Sequence, residues 1–340
     1  MNPLLNTRKL LSALTLGCAS AAPLSAQFIT ANAQEAQAYA SGINQGHAAI
    51  SSVSDFALTN LAAGPGFRGS YAYDQVNTER DGSDRAFKTE ITQHSAHIGY
   101  VHHFDAVAAG INLSYLDSEA DSDYRDTNAG KVNLDGDGWM LSGGFAHTWE
   151  NLTVSLIGGA GQLSLDGTRR STSNLILGES SSSFDTDLYF VTADVHYGFV
   201  ISPHWVTAPF VQLKYLNVSM DGFQEKGGAD SGKVDSTKRD WITAELGLRT
   251  QLQVSDRLIA SLVLSWEHDF NSSKTEVSGT SQGGLAGGLD VPDVGENSFK
   301  AALGLDYVLD ANWTLSAGAS IASGDKYDAY GARAVLSYGF

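Results

Sequence analysis

The sequence predicts an all-β fold, a barrel of twelve antiparallel strands that crosses a membrane. Three observations support this prediction: apolar residues alternate with polar or small ones, the alternating stretches are about ten residues long or longer, and short connections alternate with long ones. Alternation with period two indicates a strand with one apolar face. About ten residues are what a tilted strand needs to cross a bilayer.

The clearest alternation lies in residues 297–340. Leu305 and Tyr307 share one face of the first strand in this stretch, whereas Lys300 and Asp306 lie on the other. The same pattern repeats in the two strands that follow, and the chain ends on an aromatic residue in phase with the apolar face. Aromatic residues at the ends of apolar faces are typical of the interface girdles of membrane barrels.

The predicted strands and their connections form a regular series. The strands are residues 67–77, 92–104, 107–117, 138–149, 152–164, 186–200, 206–219, 240–254, 258–270, 297–309, 313–323 and 330–340. Connections after even-numbered strands are short, and most of those after odd-numbered strands are long, which is typical of bacterial outer-membrane barrels with periplasmic chain ends. An even number of strands lets the first and last strands pair, so that no edge is exposed to lipid. A soluble β-sandwich would not sort its loops in this way.

Strand parity assigns one face to lipid and the other to the barrel interior. No Lys, Arg, Asp or Glu lies mid-strand on the lipid face, where a basic residue at the midplane would cost about 2–4 kcal/mol. The opposite parity carries charges of both signs, which can pair inside a pore. The candidate pore-lining residues are Arg68, Asp194, Lys214, Glu245, Arg249, Glu267, Asp306 and Arg333.

Residues 1–26 are predicted to be a secretory signal peptide. This segment begins with the basic residues Arg8 and Lys9 and continues with an apolar core. Small residues precede the predicted cleavage site after Ala26, as is typical of signal peptides. The only cysteine, Cys18, lies within it, so the mature chain is expected to have none. Lipid modification of Cys18 is the weaker alternative, because its surroundings match a lipoprotein signal poorly.

The composition argues against several other functions. A formal charge of −17 disfavours a nucleic-acid partner. The acidic stretch 117–137 lacks a complete calcium-loop pattern, and the four histidines of the second predicted strand divide between its two faces. We therefore expect no metal site, no cofactor and no enzymatic activity.

Residues 27–65 form a leader before the barrel. Its Ala, Gln and Glu residues favour helix, and Val53, Phe56 and Leu61 follow helical spacing until Gly64-Pro65-Gly66 ends the pattern. A flexible periplasmic leader is the alternative.

The C-terminal part of the chain resembles the barrel of autotransporter-type outer-membrane proteins. The matching features are Trp266 to Phe270, the strand with Gly304-Leu305, the turn and strand from Asp310 to Ala317, and the terminal Tyr338-Gly339-Phe340. The resemblance extends over about residues 65–340. It implies a surface-display or translocation module that lies in outer-membrane lipid.

The same resemblance implies a pore helix and an assembly signal. In the family, a helix ahead of the barrel is threaded through the pore. The resemblance therefore implies that about residues 45–62 form a helix inside the pore. The barrel-assembly machinery recognises the C-terminal end, which implies a signal at Tyr338 and Phe340. The predicted fold is thus all-β, a twelve-stranded antiparallel transmembrane barrel with a short N-terminal helix inside its pore, and we expect a monomer. Its parts are the signal peptide 1–26, the leader and pore helix 27–65, and the barrel 66–340.

The chain departs from the family ahead of the barrel. Fewer than 40 residues separate the predicted signal from the barrel, and the Asn-Asn pair at which some members cleave themselves is missing there. We therefore expect no large passenger. The alternative function is a small-solute porin or channel of the outer membrane, which would require the helix to leave the pore or never to enter it.

The helix offers few large apolar residues, so polar contacts with the pore wall are expected to hold it. Asp55 is the only acid in residues 36–65, and Arg68, Lys214 or Arg249 is its expected partner. Local capping or solvation of Asp55 is the alternative. On the first hypothesis, removing the Arg249 side chain should loosen the helix.

Overall fold

The structure, a computed structural model, describes residues 24–80, 87–124, 131–171, 178–228, 231–271, 276–281, 286–290, 295–324 and 326–340. These residues form a closed barrel of 12 antiparallel strands preceded by one helix, Leu24–Ala62. Of the predicted signal peptide 1–26, all but the last three residues lie outside the described part of the chain. Within that part, no helix is both long enough and apolar enough to cross a bilayer.

Each barrel strand pairs with its neighbour in sequence. The strands are β1 (Gly66–Arg80), β2 (Phe87–Phe104), β3 (Val107–Tyr124), β4 (Lys131–Trp149), β5 (Leu152–Ser171), β6 (Gly178–Tyr197), β7 (Trp205–Met220), β8 (Thr237–Ser255), β9 (Leu258–Asp269), β10 (Asn297–Val308), β11 (Trp313–Gly324) and β12 (Tyr327–Gly339). A short strand, Phe199–Ser202, follows β6 and pairs with β7. The predicted number and order of strands are confirmed.

The first and last strands close the barrel. β1 pairs with β12 from Gly66 opposite Gly339 to Thr78 opposite Tyr327. Because lipid offers no hydrogen-bond partners, a spanning sheet must satisfy every backbone group internally. The continuous ladder at this seam meets that requirement.

Apolar side chains cover the outside of the barrel over its membrane-facing part. Those more than half exposed on this surface include Ile98, Ile111, Leu141, Phe145, Leu303, Leu305 and Ile321. Aromatic residues flank them at both ends, with Tyr115 against Trp139 at one end and Trp313 against Tyr338 at the other. This belt is the surface that the sequence assigned to lipid.

Several strands are longer than predicted. β4 has 19 residues and begins at Lys131, whereas the alternation predicts a start at residue 138. The prediction was wrong there because the apolar parity changes face along the strand. The outward residues between Lys131 and Trp139 are polar and lie at the end of the barrel that carries the long loops. The hydrogen bonds to the neighbouring strands nevertheless continue to Lys131.

The helix is also longer than predicted. It runs over Leu24–Ala62, whereas the family resemblance implies about residues 45–62. Its N-terminal half approaches a small four-stranded sheet built from two long loops. The strands of that loop sheet are Phe223–Gln224 and Gly232–Val234 from the β7–β8 loop, and Glu276–Ser281 and Ala286–Asp290 from the β9–β10 loop.

We predict that a charge on the lipid face destabilises the barrel far more than the same charge on the interior face. Leu303 lies mid-strand in β10 and is 65% exposed on the outer surface. Leu303→Arg should lower the free energy of unfolding by about 2–4 kcal/mol, because the side chain faces the bilayer midplane. The adjacent Ala302→Arg, which faces the interior, is the matched control and should cost less than half as much. Urea unfolding in lipid vesicles measures both, and equal losses would contradict the assignment of faces.

Candidate functional site

The helix lies against one side of the barrel interior. It packs along β1–β7 and the loop sheet, with its main contacts on β2–β7. It also touches β8, where the Trp241 ring lies 4.8 Å from the His47 ring. Between 0% and 3% of each large side chain on its packed face is exposed. These side chains are Tyr39, Ile43, Ile50, Val53, Phe56 and Leu61.

The part of the barrel wall that contacts this face of the helix is apolar, particularly in the half toward the long loops. Its inward side chains form one buried cluster with the helix. The members include Leu116, Leu134, Met140, Ile157, Leu163, Leu165, Leu188, Leu216 and Val218. Full burial of a Val, Leu, Ile or Phe side chain is worth about 1.5–3 kcal/mol. The expectation that polar contacts rather than apolar packing hold the helix is therefore wrong, because the prediction overlooked the apolar residues of this wall.

The strands of this wall carry their apolar residues on opposite faces at their two ends. In β4, Val132 and Leu134 point inward and are buried, with Asp135 exposed outside between them and the membrane belt. Trp139 and Leu141, further along the strand, point outward. The long-loop half is thus organised like a water-soluble β-protein around the helix, and the other half like a membrane barrel. The reversed alternation of residues 131–138 is the sequence signal that could have revealed it.

Gly46 permits a close approach between the helix and the wall. A Cβ atom at this position would lie 2.8 Å from Val218 Cγ1 and 2.9 Å from Leu188 Cδ2. Any larger residue would have to displace one of these buried side chains or the helix itself.

Polar contacts fix the half of the helix nearer the short turns. The Ser54 hydroxyl lies 2.9 Å from the Thr192 hydroxyl, and that of Ser52 lies 3.1 Å from that of Ser95. The Phe56 ring stacks on the His97 imidazole, with centroids 4.7 Å apart. These contacts set the rotation of the helix that apolar packing alone would leave loosely defined.

Arg68 anchors the helix end. Its guanidinium donates to the Asn60 side chain at 2.8 Å and to the Gly64 carbonyl at 2.7 Å. The Asn60 amide in turn donates to the Asn112 side chain on β3. Arg68 therefore satisfies backbone groups at the helix C-terminus, which otherwise lack partners.

Lys214, Glu245 and Glu267 meet inside the barrel together with Lys300. Lys214 Nζ lies 2.9 Å from Glu245 Oε2 and 3.3 Å from Glu267 Oε2, and Lys300 Nζ lies 2.8 Å from Glu267 Oε2. Two bases and two acids on four consecutive strands thus pair with each other. The network ties β7, β8, β9 and β10 together on their inner face.

Asp194 and Arg249 form a second wall pair. Arg249 Nη2 lies 2.8 Å from Asp194 Oδ2, and the guanidinium stacks over the Phe210 ring at 4.0 Å from its centroid. His196 Nδ1 lies 2.8 Å from Asp194 Oδ1. All of these contacts are between residues of the barrel wall. The contacts of Arg249 therefore give no support to the expectation that it holds the helix.

Asp55 has none of its expected partners. Arg68, Lys214 and Arg249 bind other groups, as described above, and the Asp55 side chain is exposed to the water-accessible interior. Its backbone carbonyl accepts a hydrogen bond from the Thr59 hydroxyl at 2.7 Å. The predicted ion pair to the wall is wrong, because apolar packing turns this residue away from β1–β7.

Asp306 and Arg333 lie on the inner face of the half-barrel that the helix does not touch. Asp306 is opposite Ser316 on β11, and Arg333 is opposite Gly318 on the same strand. Both are half-buried. Within the described part of the chain, no group of three or more His, Cys, Asp or Glu side chains is arranged to hold a metal ion.

A buried three-residue contact fixes the helix at the long-loop end, and sequence reasoning missed it. The Tyr39 hydroxyl donates to Glu225 Oε1 at 2.6 Å, while Arg169 of β5 donates to both carboxylate oxygens at 2.9 and 3.0 Å. The Tyr39 ring also contacts Phe184 and Phe223. Because Glu225 belongs to the β7–β8 loop, this contact fastens the loop and the helix to the barrel wall.

Tyr338 and Phe340 lie at the barrel seam near the short turns. The Phe340 ring is 6.2 Å from those of both Phe67 on β1 and Tyr100 on β2. Tyr338 packs on Trp313, with ring centroids 4.9 Å apart. The terminal aromatics thus join the last strands to the first ones on the outer face.

Comparison with known proteins agrees with this geometry. The autotransporter β-domain family model matches residues 67–320, and the chain belongs to that family. No curated protein sequence matches the chain. The family and the fold define an integral barrel of the outer membrane, of the translocator type, with lipid around its apolar belt.

Solved structures of translocator barrels share the fold. The translocator domain of the autotransporter NalP from Neisseria meningitidis superposes with a TM-score of 0.69 at 17% identity, over 88% of this chain and 98% of that one. The transport unit of AIDA-I from Escherichia coli gives 0.54 at 15% identity, over 81% and 90%. The β-domain of Bordetella BrkA gives 0.55 at 12% identity, over 82% and 100%.

We predict that Glu225 is the principal polar determinant of helix position at the long-loop end. Glu225→Ala should lower the free energy of unfolding by about 3–5 kcal/mol, because it removes charge-assisted hydrogen bonds from Tyr39, Arg169 and the Gly232 N–H. Tyr39→Phe removes one hydrogen bond and should cost about 1–3 kcal/mol. Urea unfolding of the purified barrel measures both. A smaller loss for Glu225→Ala than for Tyr39→Phe would contradict this ranking.

Proposed function

We propose that this chain is an outer-membrane display barrel whose helix passes through the lumen and presents its N-terminal end at the cell surface. In this proposal, residues 1–26 are a cleaved signal peptide, residues 27–65 the leader with the pore helix, and residues 66–340 the barrel. The barrel acts as a non-catalytic scaffold. The observation that carries the proposal is the direction of the helix, since Tyr39 contacts the long-loop half and Arg68 anchors the other end.

The proposed orientation follows from the connections and the helix length. Short turns belong on the periplasmic side and long loops outside. The helix from Tyr39 to Ala62 spans roughly 35 Å at about 1.5 Å per residue, slightly more than the ~30 Å hydrocarbon core. Residues ahead of Tyr39 would then emerge on the outer side, and the ends of the barrel would lie in the periplasm.

We propose that the protein is a monomer and that the barrel-assembly machinery inserts it into the outer membrane. The backbone groups of β1 and β12 hydrogen-bond to each other, so these strands leave no open edge at which a second copy would pair. The terminal Phe340 lies on the outer face of this seam beside Phe67. Assembly factors that close the barrel could therefore bind the last strand before β1 covers it.

We predict that the N-terminal segment is reachable from outside intact cells. The sole cysteine, Cys18, lies in the segment proposed to be removed, so one introduced thiol reports one site. Thr30→Cys should react with a membrane-impermeant maleimide on whole cells. Ala311→Cys, in the turn between β10 and β11, should react only after the outer membrane is permeabilised. Labelling of Ala311→Cys alone on intact cells would reverse the proposed orientation.

We predict that Phe340 serves assembly more than stability. Deleting it should leave most of the chain in the periplasm, because the signal for the assembly machinery is incomplete. The purified variant, refolded in detergent, should lose only about 0.5–1.5 kcal/mol of unfolding free energy, the range of an aromatic pair contact. Membrane fractionation and urea unfolding separate the two effects. Normal membrane levels after the deletion would remove the assembly role.

A further inference from the structure

A small pocket lies inside the barrel beside the C-terminal end of the helix, at the end of the barrel that carries the short turns. Its volume is about 220 Å³, which is room for about seven water molecules at ~30 Å³ each. Side chains of the last helical turn, the β2–β3 turn and the inner faces of β2–β6 line it. In the proposed orientation this end of the barrel faces the periplasm. The pocket is therefore a separate site from the Tyr39 contact at the long-loop end.

The floor of the pocket is apolar and buried. It consists of Leu61 from the helix, Ala108 from β3 and Ala146 from β4. At the next inward position of β3, a Cβ atom on Gly110 would lie 3.2 Å from Leu61 Cδ2, so the helix packs tightly there and closes the pocket on its inner side. Alanine at the two wall positions leaves the space open, because a larger side chain would fill it.

His196 presents a hydrogen-bond acceptor to the pocket. Its Nδ1 lies 2.8 Å from Asp194 Oδ1, and Asp194 is itself ion-paired with Arg249. An ionised carboxylate only accepts hydrogen bonds, so Nδ1 carries the proton and Nε2 of the neutral ring is an acceptor. Because Asp194 already fixes the ring, little ordering remains when a ligand binds to it.

The other polar groups of the rim are also mainly acceptors. His103 Nε2 lies 3.3 Å from the Ala63 carbonyl oxygen, so this nitrogen donates and Nδ1 of the neutral ring is an acceptor. The Thr148 and Thr153 hydroxyls lie 3.1 Å apart, and one of them donates its proton to the other. Asp105, at the β2–β3 turn, adds the one carboxylate among the described side chains of the lining.

We propose that this pocket binds the primary ammonium group of a small alkylamine. An ammonium group has three donors and no acceptor, which matches imidazole nitrogens, hydroxyl oxygens and a carboxylate. The methylene groups of the same ligand would lie on the apolar floor. A ligand carboxylate or phosphate, by contrast, would meet Asp105 and two imidazole acceptors. This binding site goes beyond the proposed display function, which assigns no ligand to the barrel.

The first test is binding of n-butylamine, which is an alkylammonium ion at neutral pH. In protein with ¹⁵N-labelled histidine, two imidazole signals should shift with a dissociation constant of about 1–10 mM, as expected for so small a ligand. His103→Gln and His196→Gln assign these signals to their residues. n-Butanol and butyrate have the same chain length and should cause no such shift. No saturable shift with n-butylamine, or an equal shift with butyrate, would overturn the proposal.

The second test fills the pocket. Ala108→Leu places a larger side chain on the floor and should weaken n-butylamine binding at least about fivefold, because the ligand and the new side chain compete for one space. Ala109→Leu, on the lipid face of the same strand, is the matched control and should leave the affinity unchanged. Heat-modifiable migration on gels shows that each variant has formed its barrel. Equal affinities of the two folded variants would contradict the location.

The third test removes the charge of the rim and keeps its turn. Asp105 has a φ of 53°, a left-handed conformation that Asn also tolerates, so Asp105→Asn should fold normally. Its affinity for n-butylamine should fall about two- to fivefold, the range of an exposed ion pair. Glu150→Gln, at the β4–β5 turn with a φ of 52°, removes the same charge outside the pocket and should leave the affinity unchanged. Equal affinities of these two variants would overturn the proposed contact with Asp105.

A last comparison distinguishes two sources of the ammonium group, a free amine and the lysine side chain of a periplasmic protein. N-acetyl-lysine amide has the same four-carbon ammonium arm joined to a peptide backbone. Tighter binding of this compound than of n-butylamine would assign the pocket to a lysine side chain, and weaker binding would assign it to free alkylamines. Failure of all these tests would leave the display proposal intact, since surface labelling of Thr30→Cys checks that separately.

Discussion

The ladder between β1 and β12 is the constraint on which the rest of this structure depends. Inside a bilayer an unpaired N–H or C=O group costs several kcal/mol, so a spanning sheet survives only when it closes. Thirteen paired positions, from Gly66 opposite Gly339 to Thr78 opposite Tyr327, complete that closure. Because the sheet closes, each strand has one face toward lipid and one toward an enclosed space. The helix, the ion pairs and the water-accessible half of the lumen are all consequences of that enclosed space.

The enclosed space is divided lengthwise and crosswise. Lengthwise, the long-loop half has an apolar interior, as at Leu134 and Leu165, whereas the membrane half has a polar one, as at Asp194 and Lys214. Crosswise, β2–β7 contribute large side chains that pack on the helix, whereas the inward positions of β10–β12 are mostly Ala, Gly and Ser. On this side of the barrel the Ile, Val and Phe residues of the helix are removed from water.

Charges inside the barrel serve two separate purposes. Lys214, Glu245, Glu267 and Lys300 neutralise each other and link adjacent strands, which suits a low-dielectric wall where an unpaired charge is expensive. Asp55 stays solvated instead, since the same apolar packing that fixes the helix turns it toward water. Near the long loops, Arg169 and Glu225 are paired and buried, and the Tyr39 hydroxyl of the helix donates to the same carboxylate.

The sequence by itself determined the twelve strands, the sorting of turns and loops, and the inward parity of residues such as Arg68, Lys214 and Glu267. Period-two alternation suffices for these features because lipid accepts only apolar side chains. The reversed alternation of residues 131–138 is a sequence signal for the extension of β4 to Lys131. Alternation cannot tell what an apolar face packs against, so the apolar packing of the helix was decided by the tertiary structure. The partners of Asp55 and Arg249 were decided there as well. Parity places a side chain inside the barrel, but the off-centre helix and the folded β7–β8 loop decide what that side chain touches.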